Sequence, residues 1–479
     1  MTTDRGFFGH PRALGTLFGV EMWERFSFYG MQAILAYYLY YQAADGGLGF
    51  DEGSAKSIVG AYGGLVYLST VLGSWIADRL LGSERTLFYS AIVIMAGHIS
   101  LAAIPGVPGL TAGLVLVAIG SGGVKSTATS LVGDLYSPDD LRRDAGFSIY
   151  YMGINLGGFL GPLLTGYAQD HVGFHLGFGL AAVGMFLGIV QYAVTRHRFD
   201  DIGRSVPDPL PREARRRVVG IGVVAIVVVI VAAMTGLLKA STLSTVVVTV
   251  TAIAAAGYFA VILTSRAITS VERSRVVAFV PLFLASTAFW ALFQQQFTTV
   301  AEYSDKRLNR EIFGWTMPAS WVQSINPVFI IVFAGVFAAI WTALGPRQPS
   351  TPVKFAMGTG IMGVAFLCFI PMAGGGPGSA PLLGLVGILF LFTIAELSLS
   401  PVGLSLSTKL APAAFHTQMV ALFFLSVALG SALAGTLSTY YDPDDEAPYF
   451  WIIGLSSLAV AALLLAFRAP IRRLMRGVL

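Results

Sequence analysis

Residues 16–41 read TLFGVEMWERFSFYGMQAILAYYLYY, an apolar stretch that carries Glu21, Glu24 and Arg25 near its middle. A helix that crosses the ~30 Å hydrocarbon core of a bilayer needs about 20 apolar residues, so this stretch is long enough to span it. Charges at that depth are costly and usually mark a substrate or ion pathway. Glu21 and Arg25 are four residues apart and share a helix face, so an ion pair that neutralises itself is the alternative explanation.

The whole chain has the composition of a membrane protein. Of its 479 residues, 55% are hydrophobic and only 12% are charged, about half the charged share of an average soluble domain. This composition excludes a soluble enzyme, a disordered chain and a disulfide-rich secreted domain. Cys368 is the single cysteine, so no disulfide within the chain or cysteine metal cluster can form. We expect no metal, no cofactor, no nucleic-acid partner and no removable signal peptide.

Apolar runs of spanning length recur along the chain, and we predict fourteen transmembrane helices with only short loops between them. The predicted spans are residues 16–41, 57–78, 86–104, 110–131, 146–166, 174–195, 217–238, 243–264, 277–300, 319–343, 355–373, 382–407, 416–438 and 449–468.

Basic residues decide the predicted orientation, because short cytoplasmic loops are enriched in Lys and Arg. The loops after even-numbered spans are basic, as with Arg142 and Arg143, whereas the loop after the thirteenth span is acidic. Both termini are therefore predicted to be cytoplasmic.

The Pro- and Arg-rich residues 200–216 follow the sixth predicted span and are typical of a cytoplasmic linker. We therefore predict an N-terminal six-helix bundle over residues 1–199, the linker, an inserted two-helix hairpin over 217–265 and a C-terminal six-helix bundle over 266–479. Two bundles of equal size are typical of transporters built from structural repeats.

Two further ionisable residues lie in predicted spans. Lys125 is in the fourth span and Glu396 in the twelfth, and neither has an opposite charge within a turn of its own helix. A pair between them would join the two bundles and would break when the carboxylate is protonated, as a proton-coupled alternating-access carrier requires. A static structural bridge is the alternative. Asn155 and Asn326 are neutral polar residues in apolar spans, and Asn326 precedes a proline whose freed backbone it could satisfy instead.

Several motifs in order resemble the proton-dependent oligopeptide transporters of the major facilitator superfamily. EMWERFSFYG, residues 21–30, resembles their first-span ExxERFxYYG signature, and YYMGINLGG, residues 150–158, resembles their fifth-span FYxxINxG signature. FWALFQQQ, residues 289–296, continues the likeness in the later half. GSWIADRLLGSERT is similar to the superfamily's loop motif, with Gly73, Asp78, Arg79 and Arg85 in place.

The resemblance implies a major facilitator fold that transports di- and tripeptides with protons, and bacterial members commonly carry two extra helices between the halves. It implies that Arg25 and Lys125 face the peptide carboxylate, since a guanidinium fork suits that group. By the same resemblance, the peptide amino terminus is bound by Asn155, Asn326 and Glu396. Further peptide-binding residues are Tyr29, Tyr67, Trp290 and Ser400. Proton coupling is implied for Glu21, Glu24, Arg25, Lys125 and Glu396. For any one tyrosine, packing is the alternative.

The sequence departs from the family pattern at a gate on the extracellular side. Most members place an Arg and an acidic residue where this chain has Gln32 and Gln294, so we predict that an amide pair closes this gate without sensing protons. Three further positions differ from the family pattern. Phe28 stands where a Tyr is usual and Phe423 near a position often held by Trp, and Gly60 stands where eukaryotic members carry a His.

Together these observations predict a monomeric symporter of the cell (inner) membrane, whose partners are di- and tripeptides, protons and the lipid bilayer. A carrier of nitrate, another small solute or a peptide-like compound is the nearest alternative within the family, although Arg25 with Glu396 favours a zwitterion. A drug or metabolite exporter and a non-transporting peptide sensor are the further alternatives. No enzyme activity is expected, because no metalloprotease, nucleophile-elbow or nucleotide-loop motif occurs.

Overall fold

The computed structural model describes residues 6–137, 140, 142–234 and 239–478. Helices dominate this part of the chain, with one short two-stranded hairpin. The helices are α1 (Arg12–Tyr40), α2 (Glu52–Ile76), α3 (Ser83–Ala103), α4 (Gly106–Asp134), α5 (Arg143–His171), α6 (Phe174–Thr195), α7 (Arg212–Met234), α8 (Leu243–Thr264), α9 (Ser270–Phe293), α10 (Thr299–Lys306), α11 (Ile325–Leu344), α12 (Thr351–Leu367), α13 (Leu382–Lys409), α14 (His416–Ser438), α15 (Glu446–Ala466) and α16 (Arg468–Leu474), and the strands are β1 (Glu311–Ile312) and β2 (Trp315–Thr316).

Twelve helical segments of the described chain are long and apolar enough to cross a membrane. This confirms the prediction of an all-helical membrane protein. Two further long helices, α1 and α7, occupy the positions of the first and seventh predicted spans but are not among the twelve. The prediction of fourteen spans therefore stays a prediction. The ninth span extends beyond its predicted end at residue 300, because a 3₁₀ turn and α10 continue the helical run to Lys306.

The chain divides into two compact units. The first unit comprises residues 1–58 and 65–243, and the second comprises residues 59–64 and 244–479. Helix α7 thus belongs to the first unit and α8 to the second. The predicted limits of bundles, linker and hairpin are not tested by this division and stay predictions.

Helices α1 and α5 pack closely in the first unit. A Cβ atom on Gly157 would lie 2.2 Å from the backbone oxygen of Met22, and one on Gly161 would lie 2.4 Å from that of Phe26. Any larger residue at these α5 positions would therefore force the helices apart. Small residues four apart allow this approach in membrane helices, where van der Waals contact drives association.

In the second unit, α9 packs against α14 and α12 against α15 and α13. Helix α11 is different. In the most apolar part of the segment Ala319–Leu344, only 6% of the residues are buried inside the protein. In a membrane protein such an apolar, unburied helix faces lipid.

Candidate functional site

The three charges of α1 form one buried group. Arg25 Nε lies 2.8 Å from Glu21 Oε1 and 3.1 Å from Glu24 Oε2, so one guanidinium serves both carboxylates. All three side chains are at most 6% exposed. The helix brings them together because residues three and four apart share a face. The ion pair offered as the alternative explanation is therefore present, but the group of Glu21, Glu24 and Arg25 keeps one negative charge in excess.

Lys125 supplies the balancing positive charge from α4. Its Nζ lies 4.1 Å from the ring centre of Tyr67 and 5.2 Å from that of Phe28. Arg25 lies over the same Phe28 ring, with 5.7 Å between its Cζ and the ring centre. The charged groups whose field acts on Lys125 are Arg25, Glu24 and Glu21. We name Glu21, Glu24, Arg25 and Lys125 the α1 charge cluster, whose formal charges cancel.

The cluster is completed by two hydroxyl groups that sequence reasoning did not assign to it. Tyr150 Oη donates a hydrogen bond to Glu21 Oε2 at 2.7 Å, and Ser121 Oγ donates one to Glu24 Oε1 at 3.2 Å. Tyr150 lies in the YYMGINLGG motif and Ser121 between Gly120 and Gly122, and nothing in either local pattern marks a hydroxyl partner for α1. Both donors stabilise the ionised carboxylates, because hydrogen bonds to charged groups are the stronger ones.

Glu396 in the second unit has a polar rather than a charged neighbour. Asn326 Nδ2 lies 3.5 Å from Glu396 Oε2 and donates a shorter hydrogen bond of 3.0 Å to Thr393 Oγ1. The Asn326 amide nitrogen thus bonds side chains of α13, not the backbone freed by the following proline. Thr393, one turn before Glu396, is a further site residue that the sequence did not single out. The pairing of Glu396 with Lys125 stays a prediction.

The other predicted peptide-binding residues differ in what surrounds them. Asn155 Nδ2 donates to the Tyr151 backbone oxygen of its own helix at 2.9 Å. Trp290 is buried between Phe289 and Phe293, with ring centres 5.2 and 5.4 Å away, and its indole nitrogen has no hydrogen-bond partner in the described chain. Tyr29 packs edge-on against Phe28 at 5.2 Å. Ser400 lies on α13 immediately before Pro401.

The two predicted gate glutamines differ in their surroundings. Gln294 Nε2 donates to Ser431 Oγ on α14 at 3.1 Å. Gln32 is buried on α1, and no described residue donates a hydrogen bond to its Oε1. Ser431 was not identified from the sequence, since nothing local marks a serine in an apolar helix as a partner for a residue 137 positions away. The amide pair of Gln32 with Gln294 stays a prediction.

The loop motif joins the end of α2 to the segment after α6. Arg79 forms an ion pair with Asp208, and the backbone nitrogen of Asp208 donates to the Asp78 oxygen at 3.0 Å. Glu84 lies in the same motif, is fully buried and forms an ion pair with Arg196, with 2.8 Å between Glu84 Oε1 and Arg196 Nη2.

Gly73 is needed for close packing, since a Cβ there would lie 2.7 Å from Gly122 and Gly123 of α4. Arg85 is exposed, and no contact of its side chain defines a role.

A family model described as the POT family matches residues 84–452. The chain belongs to the POT family. This agrees with the resemblance drawn from the first-span and fifth-span signatures, and it identifies the chain as a transporter-family protein of the membrane and not an enzyme.

Two relatives and one solved structure show how far the similarity extends. The chain is 45% identical to the uncharacterized transporter YclF of Bacillus subtilis, over 99% of this chain and 97% of that one. It is 40% identical to the di-/tripeptide transporter of Lactococcus lactis subsp. cremoris, over 99% of both chains. A crystal structure of a glutamate-to-glutamine mutant of peptide transporter POT with alafosfalin superposes with a TM-score of 0.93 at 47% identity, covering 98% of this chain and 97% of that one.

Proposed function

We propose that this protein is a proton-coupled symporter that imports di- and tripeptides by alternating access. The observation that carries the proposal is the α1 charge cluster, in which two basic and two acidic side chains balance inside the membrane. The peptide transporters among its POT-family relatives support the substrate class.

The cluster supplies a physical route from proton binding to peptide binding. Arg25 Nε is already paired with both Glu21 and Glu24, so a peptide carboxylate that bound Arg25 while both are ionised would add a third negative charge beside one guanidinium. Protonating either carboxylate gives the cluster a net positive charge and frees Arg25 Nε from one of its two partners. The incoming carboxylate then replaces the neutralised one, and the buried charge is again balanced.

Glu396 is proposed to receive the peptide amino group together with Asn326 and Asn155. A carboxylate with only an amide at 3.5 Å is incompletely neutralised, so a cationic amine is a favourable partner. A basic pole at Arg25 and Lys125 and an acidic pole at Glu396 would suit the two ends of a peptide. Tyr29, Tyr67, Trp290 and Ser400 complete the proposed binding residues, and alternation between a Lys125-paired and a ligand-engaged Glu396 completes the cycle.

The test is uptake of labelled dialanine into proteoliposomes with and without an inward proton gradient. We expect accumulation that needs the gradient and that unlabelled tripeptide suppresses. Glu396→Gln should abolish uphill accumulation while leaving some downhill exchange. Accumulation without a gradient, or unchanged accumulation in Glu396→Gln, would contradict the coupling assigned to this residue.

Two alternatives are separated by the same assay. A carrier of nitrate or another small anion would take up no dialanine with or without the gradient, and a sensor would bind dialanine without accumulating it. Retention of the acidic Glu396 beside Asn326 favours a ligand with a cationic end over a simple anion.

The gate, topology and assembly are also part of the proposal. Gln32 and Gln294 would close the extracellular side as an amide pair. Gln32→Arg alone should therefore reduce transport, and the double variant Gln32→Arg with Gln294→Glu should restore it. We propose fourteen spans in the inner cell membrane, both termini in the cytoplasm and a monomeric unit. Reporter fusions active only in the cytoplasm, placed at each terminus, test the orientation.

A further inference from the structure

The hairpin between α10 and α11 ends in an apolar tip. Strands β1 and β2 pair Glu311 with Thr316 and Ile312 with Trp315. Phe313 and Gly314 form the turn, with φ angles of 50° and 81°, the left-handed sign that a two-residue hairpin turn of this kind requires. Gly314 takes this conformation without strain, whereas Phe313 does not. The Phe313 side chain is fully exposed, at 105% of its reference area.

The base of the hairpin is fastened to the second unit, so its tip is held in place. Two hydrogen bonds between Arg310 and Met317 close the base. Met317 N donates to Arg310 O, and Arg310 Nη1 donates to Met317 O, each at 2.9 Å. Asn309 N donates to Ala380 O at 2.8 Å, and Ala380 N donates to Arg307 O at 3.0 Å. An exposed aromatic tip on a fixed base presents a constant surface.

The pairing register gives the hairpin two chemically different faces. Directly opposite residues share a face, so Ile312 and Trp315 lie on an apolar face, while Glu311 and Thr316 lie on a polar one. Trp315 also contacts Trp321, with 5.2 Å between ring centres, in the 3₁₀ turn that leads into α11. The apolar face is therefore continuous with the beginning of the lipid-facing helix.

We propose that this hairpin, residues 311–316, docks on the lipid bilayer with its apolar face and Phe313 inserted at the headgroup boundary. Tryptophan is favoured at that depth, because its indole combines an apolar body with a polar N–H, and a phenylalanine ring there buries its apolar surface at the boundary between headgroups and acyl chains. The unburied face of α11 supplies the continuity with lipid, and the polar face of the hairpin remains in water. The hairpin would thus fix the height and tilt of α11 in the membrane.

The experiment uses the full chain in phosphatidylcholine and phosphatidylglycerol liposomes. Cys368 is the free cysteine and is exposed, so Cys368→Ser provides the background. Phe313→Cys carries an environment-sensitive fluorophore, and Thr316→Cys is the matched control on the opposite face. Asp444→Cys is a second control, in the exposed loop before α15. This loop lies at the same end of the second unit as the hairpin, because Arg307, just before the hairpin, is 2.8 Å from Glu446, the first residue of α15.

We expect a fluorophore at position 313 to be quenched several-fold more strongly by lipid-bound nitroxides than by iodide in water. The fluorophores at positions 316 and 444 should show the reverse order. Equal iodide access at 313 and 316 would overturn the proposal. Protection from both quenchers at 313 would also overturn it, because a protein surface would then cover the tip.

Discussion

Buried charges occur in both units, but their central arginines are paired differently, Arg25 with two carboxylates of its own helix and Arg307 with a carboxylate of a distant helix. The α1 charge cluster takes three of its members from one helix, within five consecutive residues. A second group in the other unit, which we name the loop-end charge cluster, consists of Glu302, Lys306, Arg307 and Glu446. There, Arg307 Nε bonds Glu446 Oε1 at 2.8 Å across 139 residues of sequence, and Lys306 Nζ lies 3.1 Å from Glu302 Oε1.

The surroundings of the two clusters indicate different roles. Arg307 is connected through its backbone oxygen to Ala380, and Glu446 also accepts a hydrogen bond of 2.9 Å from Tyr441. The loop-end cluster therefore joins the ends of α10 and α15 to the loop before α13. In the α1 charge cluster, one guanidinium is shared by two carboxylates and Lys125 lies against aromatic rings. A shared cation can exchange partners, whereas a single pair between distant elements stabilises one arrangement.

Breaking the loop-end cluster should have the largest effect on stability. Arg307→Met leaves Glu446 buried without its cation, and removing one member of a buried pair costs about 3–5 kcal/mol. We expect a marked fall in the midpoint of thermal unfolding in detergent. The double variant Arg307→Met with Glu446→Leu should recover most of the loss, and a single variant as stable as the parent would contradict the structural role.

Breaking the fork geometry at Arg25 should instead affect transport. Arg25→Lys keeps the charge but loses both the Nε that pairs with two carboxylates and the planar fork proposed to bind the peptide carboxylate. We expect dialanine uptake to fall about 100-fold, equivalent to ~2.7 kcal/mol, with little change in the unfolding midpoint.

The matched control for Arg25→Lys is Arg307→Lys, which makes the same change in the loop-end cluster. It should lower the unfolding midpoint and preserve uptake by the folded fraction. If both lysine variants change the same property, the distinction between the clusters is wrong.

Removing a proton-accepting carboxylate tests coupling within the α1 charge cluster. In Glu24→Gln the position can no longer alternate between charged and neutral, so the final ratio of internal to external dialanine should fall about tenfold, or ~1.4 kcal/mol. Counterflow exchange should persist. Glu302→Gln is the comparison in the other cluster, and a loss of accumulation there would show that coupling is not confined to α1.

The tyrosine partners allow a finer comparison. Tyr150→Phe removes the hydrogen bond to Glu21, and Tyr441→Phe removes the one to Glu446, each at a cost of about 1–3 kcal/mol for a charged acceptor. We expect the first change to alter the pH profile of uptake and the second to lower the unfolding midpoint. Exchanged outcomes would reverse the assigned roles.

The partly exposed pair of Asp140 and Arg142 provides the smallest effect. Hydrogen bonds from Arg142 lower the pKa of Asp140 to about 2. The pKa of Asp140 in the folded protein is thus below the ordinary value. The small contribution of the ionised Asp140 to folding stability is therefore present above pH ~4 and is lost as the pH falls through about 2. Asp140→Asn should therefore differ slightly from the parent at neutral pH, and the difference should vanish in acid titrations of thermal unfolding. A difference that grows in acid would contradict this assignment.

The sequence by itself determined the class of fold and one half of the candidate site. Helical spans were predictable because apolar runs of sufficient length have a single solution in lipid, where every backbone group must bond within its helix. The grouping of Glu21, Glu24 and Arg25 was also predictable from local sequence, because residues three and four apart share a helix face.

Only the tertiary structure decided which residues from different helices meet. Tyr150 reaches Glu21 across 129 positions, and Ser121 reaches Glu24 across 97. Asn326 bonds Thr393 and Glu396 instead of its own backbone, and the pair of Arg307 with Glu446 gave no local signal, because the two residues are 139 positions apart. Such contacts depend on helix rotation and depth, which are set by the packing of whole helices, as where Gly157 meets Met22.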